Sequence, residues 1–95
     1  MNCLNSVLIE GTVSGIENDP FNEFVKFAVD VKHGDDSVFV LVRATGKLAD
    51  SCFKNLKNES AVRVVGHLET WRGSLTVFAE HVEFVGLIKK SKTVA

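Results

Sequence analysis

Apolar and polar residues alternate along most of this chain, and alternation at period two marks a strand with one buried face. From Phe24 to Val31, the residues Val25, Phe27, Val29 and Val31 fall on one face, with Lys26, Ala28 and Asp30 between them. From Ser37 to Ala44, Val38, Val40, Val42 and Ala44 oppose Phe39, Leu41 and Arg43. His33-Gly34-Asp35-Asp36 supplies the turn between these two strands. Upstream, Asn5 to Gly15 mixes Val7, Leu8, Ile9, Thr12 and Val13 with Gly11 and Gly15. That mixture suits a long first strand bent at a glycine or bulge, ending at the turn-rich Glu17-Asn18-Asp19-Pro20. Beyond Ala44 the period changes: Leu48, Cys52, Phe53 and Leu56 share one helical face, which predicts a helix of about three turns over Lys47 to Lys57. Ala61 to Thr70 and Leu75 to Phe84 alternate again around an Arg72-Gly73 turn, predicting a hairpin.

Closing the hairpin at Arg72-Gly73 and pairing by twos sets Thr70 opposite Leu75, Leu68 opposite Val77, His67 opposite Phe78 and His81 opposite Val64. One face then holds Val62, Val64, Gly66, Leu68, Leu75, Val77 and Ala79, the expected interior. The other holds Arg63, Val65, His67, Glu69, Trp71, Thr76, Phe78 and Glu80, where rings sit beside charges.

Five strands with one helix between the third and fourth give an all-β chain with the element order of a Greek-key oligonucleotide-binding barrel. With 95 residues, 45% of them hydrophobic, the chain fits a single core. One domain is expected over 1–88, followed by a short basic tail, 89–95. No apolar run reaches the ~20 residues that cross a bilayer, and Met1-Asn2-Cys3-Leu4-Asn5 lacks the features of a secretory signal, so a cytoplasmic protein without a membrane partner is expected.

The net charge of −1 argues against a strongly basic nucleic-acid binder, but the charge is uneven. Residues 1–46 carry three Lys/Arg against seven Asp/Glu, and residues 47–95 carry eight against five, so a polyanion meets the second half first.

Asn5-Ser6-Val7-Leu8-Ile9-Glu10-Gly11, Gly46-Lys47-Leu48-Ala49-Asp50, Leu56-Lys57 and Val62-Arg63-Val64-Val65-Gly66-His67-Leu68-Glu69-Thr70 together resemble the bacterial single-stranded DNA-binding protein family. The most specific part is the Gly-Lys-Leu-Ala-Asp helix start followed by a strand ending in Gly-x-Leu-x-Thr. The resemblance implies an oligonucleotide-binding barrel that holds single-stranded DNA without catalysis, in replication, recombination or repair, and assembles as a homo-oligomer. It places stacking aromatic positions at Phe39, His33, Thr45 and, approximately, Trp71. One ring thus becomes an imidazole and one is lost at Thr45. It also implies a flexible acidic C-terminal segment that recruits repair and replication proteins, whereas this chain reads Lys89-Lys90-Ser91-Lys92-Thr93-Val94-Ala95. A related expectation is an interaction module of the primosomal type, contacting replication proteins.

Independently of that resemblance, rings beside Arg or Lys on a β-surface suit single strands, since every base has a π-face. Phe39 and Trp71 are the candidate stacking residues, and Lys26, Lys32, Arg43, Arg63 and Arg72 the candidate phosphate contacts. The bland alternative is that outward Phe39, Leu41, Val65 and Phe78 are covered by a neighbouring subunit or by loops. His33, His67 and His81 show no metal-ligand spacing, so no metal or other cofactor is expected. Cys52 falls on the helix's apolar stripe as a packed thiol, Cys3 is incidental, and Asp50 reads as a first-turn helix acid. No glycine loop suited to phosphate is present, and nothing suggests an enzyme.

Overall fold

The computed structural model describes residues 4–21 and 23–87. Its elements are β1 (Val7–Asn18), β2 (Phe24–His33), β3 (Asp36–Thr45), α1 (Gly46–Asn55), β4 (Ser60–Trp71) and β5 (Ser74–Leu87). The strands close into a barrel in the order β1-β2-β3-β5-β4, with β4 returning to β1. Every pairing is antiparallel except β3 with β5, which run parallel at Val42↔Val77 and Arg43↔Phe78. This is the expected five-stranded barrel with one helix between β3 and β4. Cys3 and Lys89 to Ala95 lie outside the described residues.

The alternation finds its physical cause in the barrel wall. Val13 of β1, Val25, Phe27 and Val29 of β2, Val42 and Ala44 of β3, and Val62 and Val64 of β4 are buried together. Ala49 and Cys52 of α1, with Leu56 just beyond it, pack against the same core. The helix starts one residue earlier than the apolar spacing predicts and ends two earlier. Leu56 has left the helical region (φ −79°, ψ 130°) while its N–H still bonds the Cys52 carbonyl at 2.8 Å. Asp50 therefore lies in the second turn, and the first turn holds no acid.

Besides a bulge at Val85, between the pairs Ala61↔Gly86 and Val62↔Phe84, two features of the β4–β5 hairpin depart from simple alternation. Ala79 pairs with Gly66 but His81 pairs with Val65, so Glu80 is an extra residue in β5. The bulge shifts the phase: Leu75, Val77 and Ala79 face inward before it, and Val82 faces inward after it. His81 consequently sits opposite Val65 rather than Val64. The second departure is length. Leu68 and Leu75 point to the predicted interior face, yet Leu75 is 70% exposed and Leu68 is exposed too, because the hairpin runs past the last closed ring of the barrel. Val38, on the matching stretch of β3, is exposed for the same reason, and Thr76, expected outside, is buried.

The hairpin closes in two residues. Arg72 (φ 52°) and Gly73 (φ 80°) both adopt the left-handed conformation that two-residue hairpin turns need, and Trp71 pairs with Ser74 across them. At Gly66 a side chain would run into the Phe78 carbonyl, so the bulge and the glycine together let β4 and β5 approach closely.

Candidate nucleic-acid interface

Trp71 ends β4 on the outer face of the hairpin, and the curl of the hairpin brings its ring over the outer face of β2 and β3. The Phe24 ring meets it edge-on, with centroids 5.1 Å apart and an interplanar angle of 71°. Three cations surround it: Arg72 at 4.3 Å from the ring centroid, Arg43 at 5.2 Å and Lys26 at 5.5 Å. Arg43 also lies 5.1 Å from the Phe78 ring, and Phe78 lies 5.3 Å from His67. Phe24, Trp71, Arg43, Phe78 and His67 thus form one continuous file of planar groups across the barrel wall.

Local bonding holds this file in place. The Asn5 side chain donates from Nδ2 to the Leu68 carbonyl at 3.0 Å and accepts the Leu68 N–H at Oδ1 at 2.8 Å, tying the stem of the hairpin to the segment before β1. Arg43 donates two parallel bonds to Glu69, Nε to Oε2 at 2.8 Å and Nη2 to Oε1 at 2.9 Å, with the side chains only 16% and 19% exposed. His67 Nδ1 and Glu80 Oε2 are 2.6 Å apart, so the bulged residue carries the partner of the last member of the file.

Nearly every candidate cation already has a carboxylate. Lys26 pairs with Glu17 at 3.4 Å and Lys32 with Asp30 at 3.9 Å. Arg63 lies between Glu10 at 3.4 Å and Glu83 at 3.0 Å, which raise its pKa, Glu10 more than Glu83. Arg72 has no carboxylate partner among the described residues.

Of the residues singled out from the sequence, the structure gathers Trp71, Arg43, Arg72 and Lys26. It separates the others. Phe39 is exposed on the same wall, opposite Asp30 and four residues from Arg43, about 13 Å along β3. Lys32 and His33 lie farther along that arm, and Arg63 is eight residues before Trp71 on β4. Alternation places Phe78 and His67 on the outward face without making them binding candidates, and Phe24 is not singled out at all. It lies directly across the ladder from Thr45, where the resemblance had lost a ring, so β2 puts an aromatic group beside the vacant position. Its place after the Pro20 turn was the available signal.

An apolar cleft of about 290 Å³ lies between β3 and the overhanging hairpin, lined by Val38, Phe39, Leu41, Leu68, Leu75 and Val77 among others. Among the described residues no three His, Cys, Asp or Glu gather as metal ligands, and no helix is long and apolar enough to cross a membrane. Burial pushes the Cys52 thiol up to about 11, which keeps it protonated and unreactive at neutral pH.

No family model and no curated protein matches the sequence. Solved structures do. The second single-stranded DNA-binding protein of Mycobacterium smegmatis is 28% identical, with 85% of this chain and 88% of that chain aligned and a TM-score of 0.74. The barrel has the fold of the bacterial single-stranded DNA-binding proteins. A small single-stranded DNA-binding protein from Mycoplasma pneumoniae shares this fold at 18% identity and a TM-score of 0.73, over 87% of this chain and 96% of that one. So does the N-terminal domain of PriB from Thermoanaerobacter tencongensis, a dimeric structure, at 23% identity and a TM-score of 0.69, over 85% and 96%. In this barrel the aromatic file occupies the wall built by β2, β3 and the β4–β5 hairpin.

Proposed function

We propose that this chain binds single-stranded DNA, without catalysis and with little dependence on sequence, along the file from Phe24 to His67. The observation that carries the reading is the file itself: three aromatic rings, a guanidinium and an imidazole with neighbouring centres 5.1–5.3 Å apart, beside Arg72, which has no carboxylate partner among the described residues. Bases stack on such groups with about 1–3 kcal/mol each, whatever their identity, and Arg43 enters with its plane fixed by Glu69. Phe39 and Lys32 extend the path along β3. Each paired cation must loosen a carboxylate to reach a phosphate, so binding depends on stacking more than on charge. The likeness to single-stranded DNA-binding proteins supports the same conclusion, with roles in replication, recombination or repair and a place on cytoplasmic DNA.

The hairpin side of the apolar cleft, where Leu68 and Leu75 are exposed, favours a homo-oligomer, since a second copy covers such surface at low cost and leaves Phe39 to the strand. It also favours, as the second reading, a primosome-type module that contacts replication proteins, a reading to which the PriB likeness adds. Fluorescence anisotropy of labelled oligo-dT and of a matched duplex decides between them. Tight, competable binding of oligo-dT alone is expected, weakened by Trp71→Ala. Equal affinity for both, or none for either, would overturn the proposal and leave the interaction module.

A further inference from the structure

Next to Trp71, the β1–β2 loop and the hairpin tip border a half-open cavity of about 180 Å³. Its walls include Glu17, Asp19, Phe24, Lys26, Trp71 and Arg72. The volume admits one planar ring system and falls below the ~300–1,000 Å³ of sites for drug-sized ligands. Three chemistries meet there: the rings of Trp71 and Phe24, the cationic heads of Lys26 and Arg72, and the carboxylates of Glu17 and Asp19.

The acids are placed rather than merely present. Asp19 donates its backbone N–H to the Phe24 carbonyl at 3.0 Å and accepts the N–H groups of Phe21 and Glu23 at 3.2 and 3.1 Å. Both of those bonds end on Oδ2, so the carboxylate is fixed while neither engages Oδ1. Glu17 is largely exposed and held by Lys26 at 3.4 Å. A ligand entering this cavity therefore faces anionic acceptors and cationic donors at once, beside an aromatic ring.

We infer that this cavity takes one nucleobase of a bound strand and selects guanine over the other three. Guanine alone offers two adjacent donors, N1–H and the N2 amino group, together with two acceptors, O6 and N7, on a single planar body. The donors suit a carboxylate, and the acceptors suit Arg or Lys, the commonest specific pairing to guanine. Adenine and cytosine bring one amino donor each, and thymine flanks its single N–H with two carbonyls that a carboxylate repels. The inference rests on the single-strand reading and adds one preferred position to an otherwise sequence-neutral path.

Anisotropy titrations of a short labelled dT oligomer, and of versions in which one central dT is replaced by dG, dA or dC, test it. The dG version should bind about fivefold or more tightly than the all-dT oligomer, and the dA and dC versions within about twofold of it. Glu17→Gln combined with Asp19→Asn should erase the dG advantage. Glu17→Gln alone, which leaves every Asp19 bond intact, should reduce it. Free dGMP should displace the dG oligomer only at millimolar concentration. Equal binding of the dG and dT oligomers, or a dG advantage that survives in both variants, would overturn the inference while leaving single-strand binding standing. Displacement by micromolar dGMP would also overturn it, by making the cavity a mononucleotide site. If no oligomer binds at all, the single-strand reading falls and this inference falls with it.

Discussion

Phe39 and Phe27 lie on opposite faces of the β2–β3 ladder, and cutting each to alanine separates a binding surface from a core. Phe27 is 0% exposed and sits among Val13, Val42 and Val64, so Phe27→Ala should cost about 3–5 kcal/mol of stability. For a domain of this size each kcal/mol moves the melting temperature by roughly 4–8 °C, so the variant should melt at least about 12 °C early. Phe39 is 64% exposed. Burying a whole phenylalanine side chain is worth about 1.5–3 kcal/mol, and the third of the ring that is covered keeps about 0.5–1 kcal/mol of it. Phe39→Ala should therefore melt only about 2–8 °C early, yet bind oligo-dT about 1–3 kcal/mol more weakly if a base stacks there. Thermal melting by circular dichroism and oligo-dT titration of the same preparations give both numbers. The reasoning is refuted if Phe39→Ala melts as early as Phe27→Ala, or if it binds oligo-dT as tightly as the parent.

Glu69→Gln removes the charge that neutralises Arg43 and leaves a hydrogen-bonding group; it should lower stability by about 1–3 kcal/mol and steepen the dependence of log K on log salt by about 0.7, one phosphate contact on a single strand. An unchanged slope in a salt series would mean that Arg43 never reaches a phosphate. The Cys52 thiol, raised to about 11 by burial, is neutral in the folded barrel while the unfolded chain ionises near the usual thiol range. Its contribution is therefore complete below about pH 9 and lost as pH rises through about 11, and the chain has no tyrosine to add a titration there. Cys52→Ala should flatten that part of the stability-against-pH curve; a curve parallel to the parent's would contradict the assignment. Light scattering at tens of micromolar should report a dimer or tetramer, and a monomer would leave the apolar cleft uncovered.

The barrel was legible in the sequence wherever a strand has one wet and one dry face, as in Val25, Phe27 and Val29 or Val62 and Val64. The helix was legible from Leu48, Cys52 and Leu56, but its end was not, because Leu56 packs into the core from extended backbone as readily as from a helix. Alternation carries no sign of an inserted residue, so the Glu80 bulge displaced His81 by one position. Nor does it show where a barrel stops, and Leu68 and Leu75 keep an inward phase after there is no longer an interior to face. Within the candidate site, Trp71 and the cations Arg43 and Arg72 could be named from composition and face, while Phe78 could be placed only on the outward face. The union of Phe24 with Trp71, and of Arg43 with Glu69 26 residues away, depends on the curl of the hairpin over β2 and β3. Charge pairing of that kind decides how many cations are available to phosphate, and it appears only when strands far apart in sequence become neighbours.

Trp71 is the only tryptophan in the chain and stands in the middle of the proposed path, so its own emission reports directly on the central claim. Titration with oligo-dT should quench that emission saturably as a base stacks on the ring, and a matched duplex at the same concentration should not. Unchanged Trp71 emission, with oligo-dT shown by anisotropy to be bound, would place the strand elsewhere on the barrel and contradict the account.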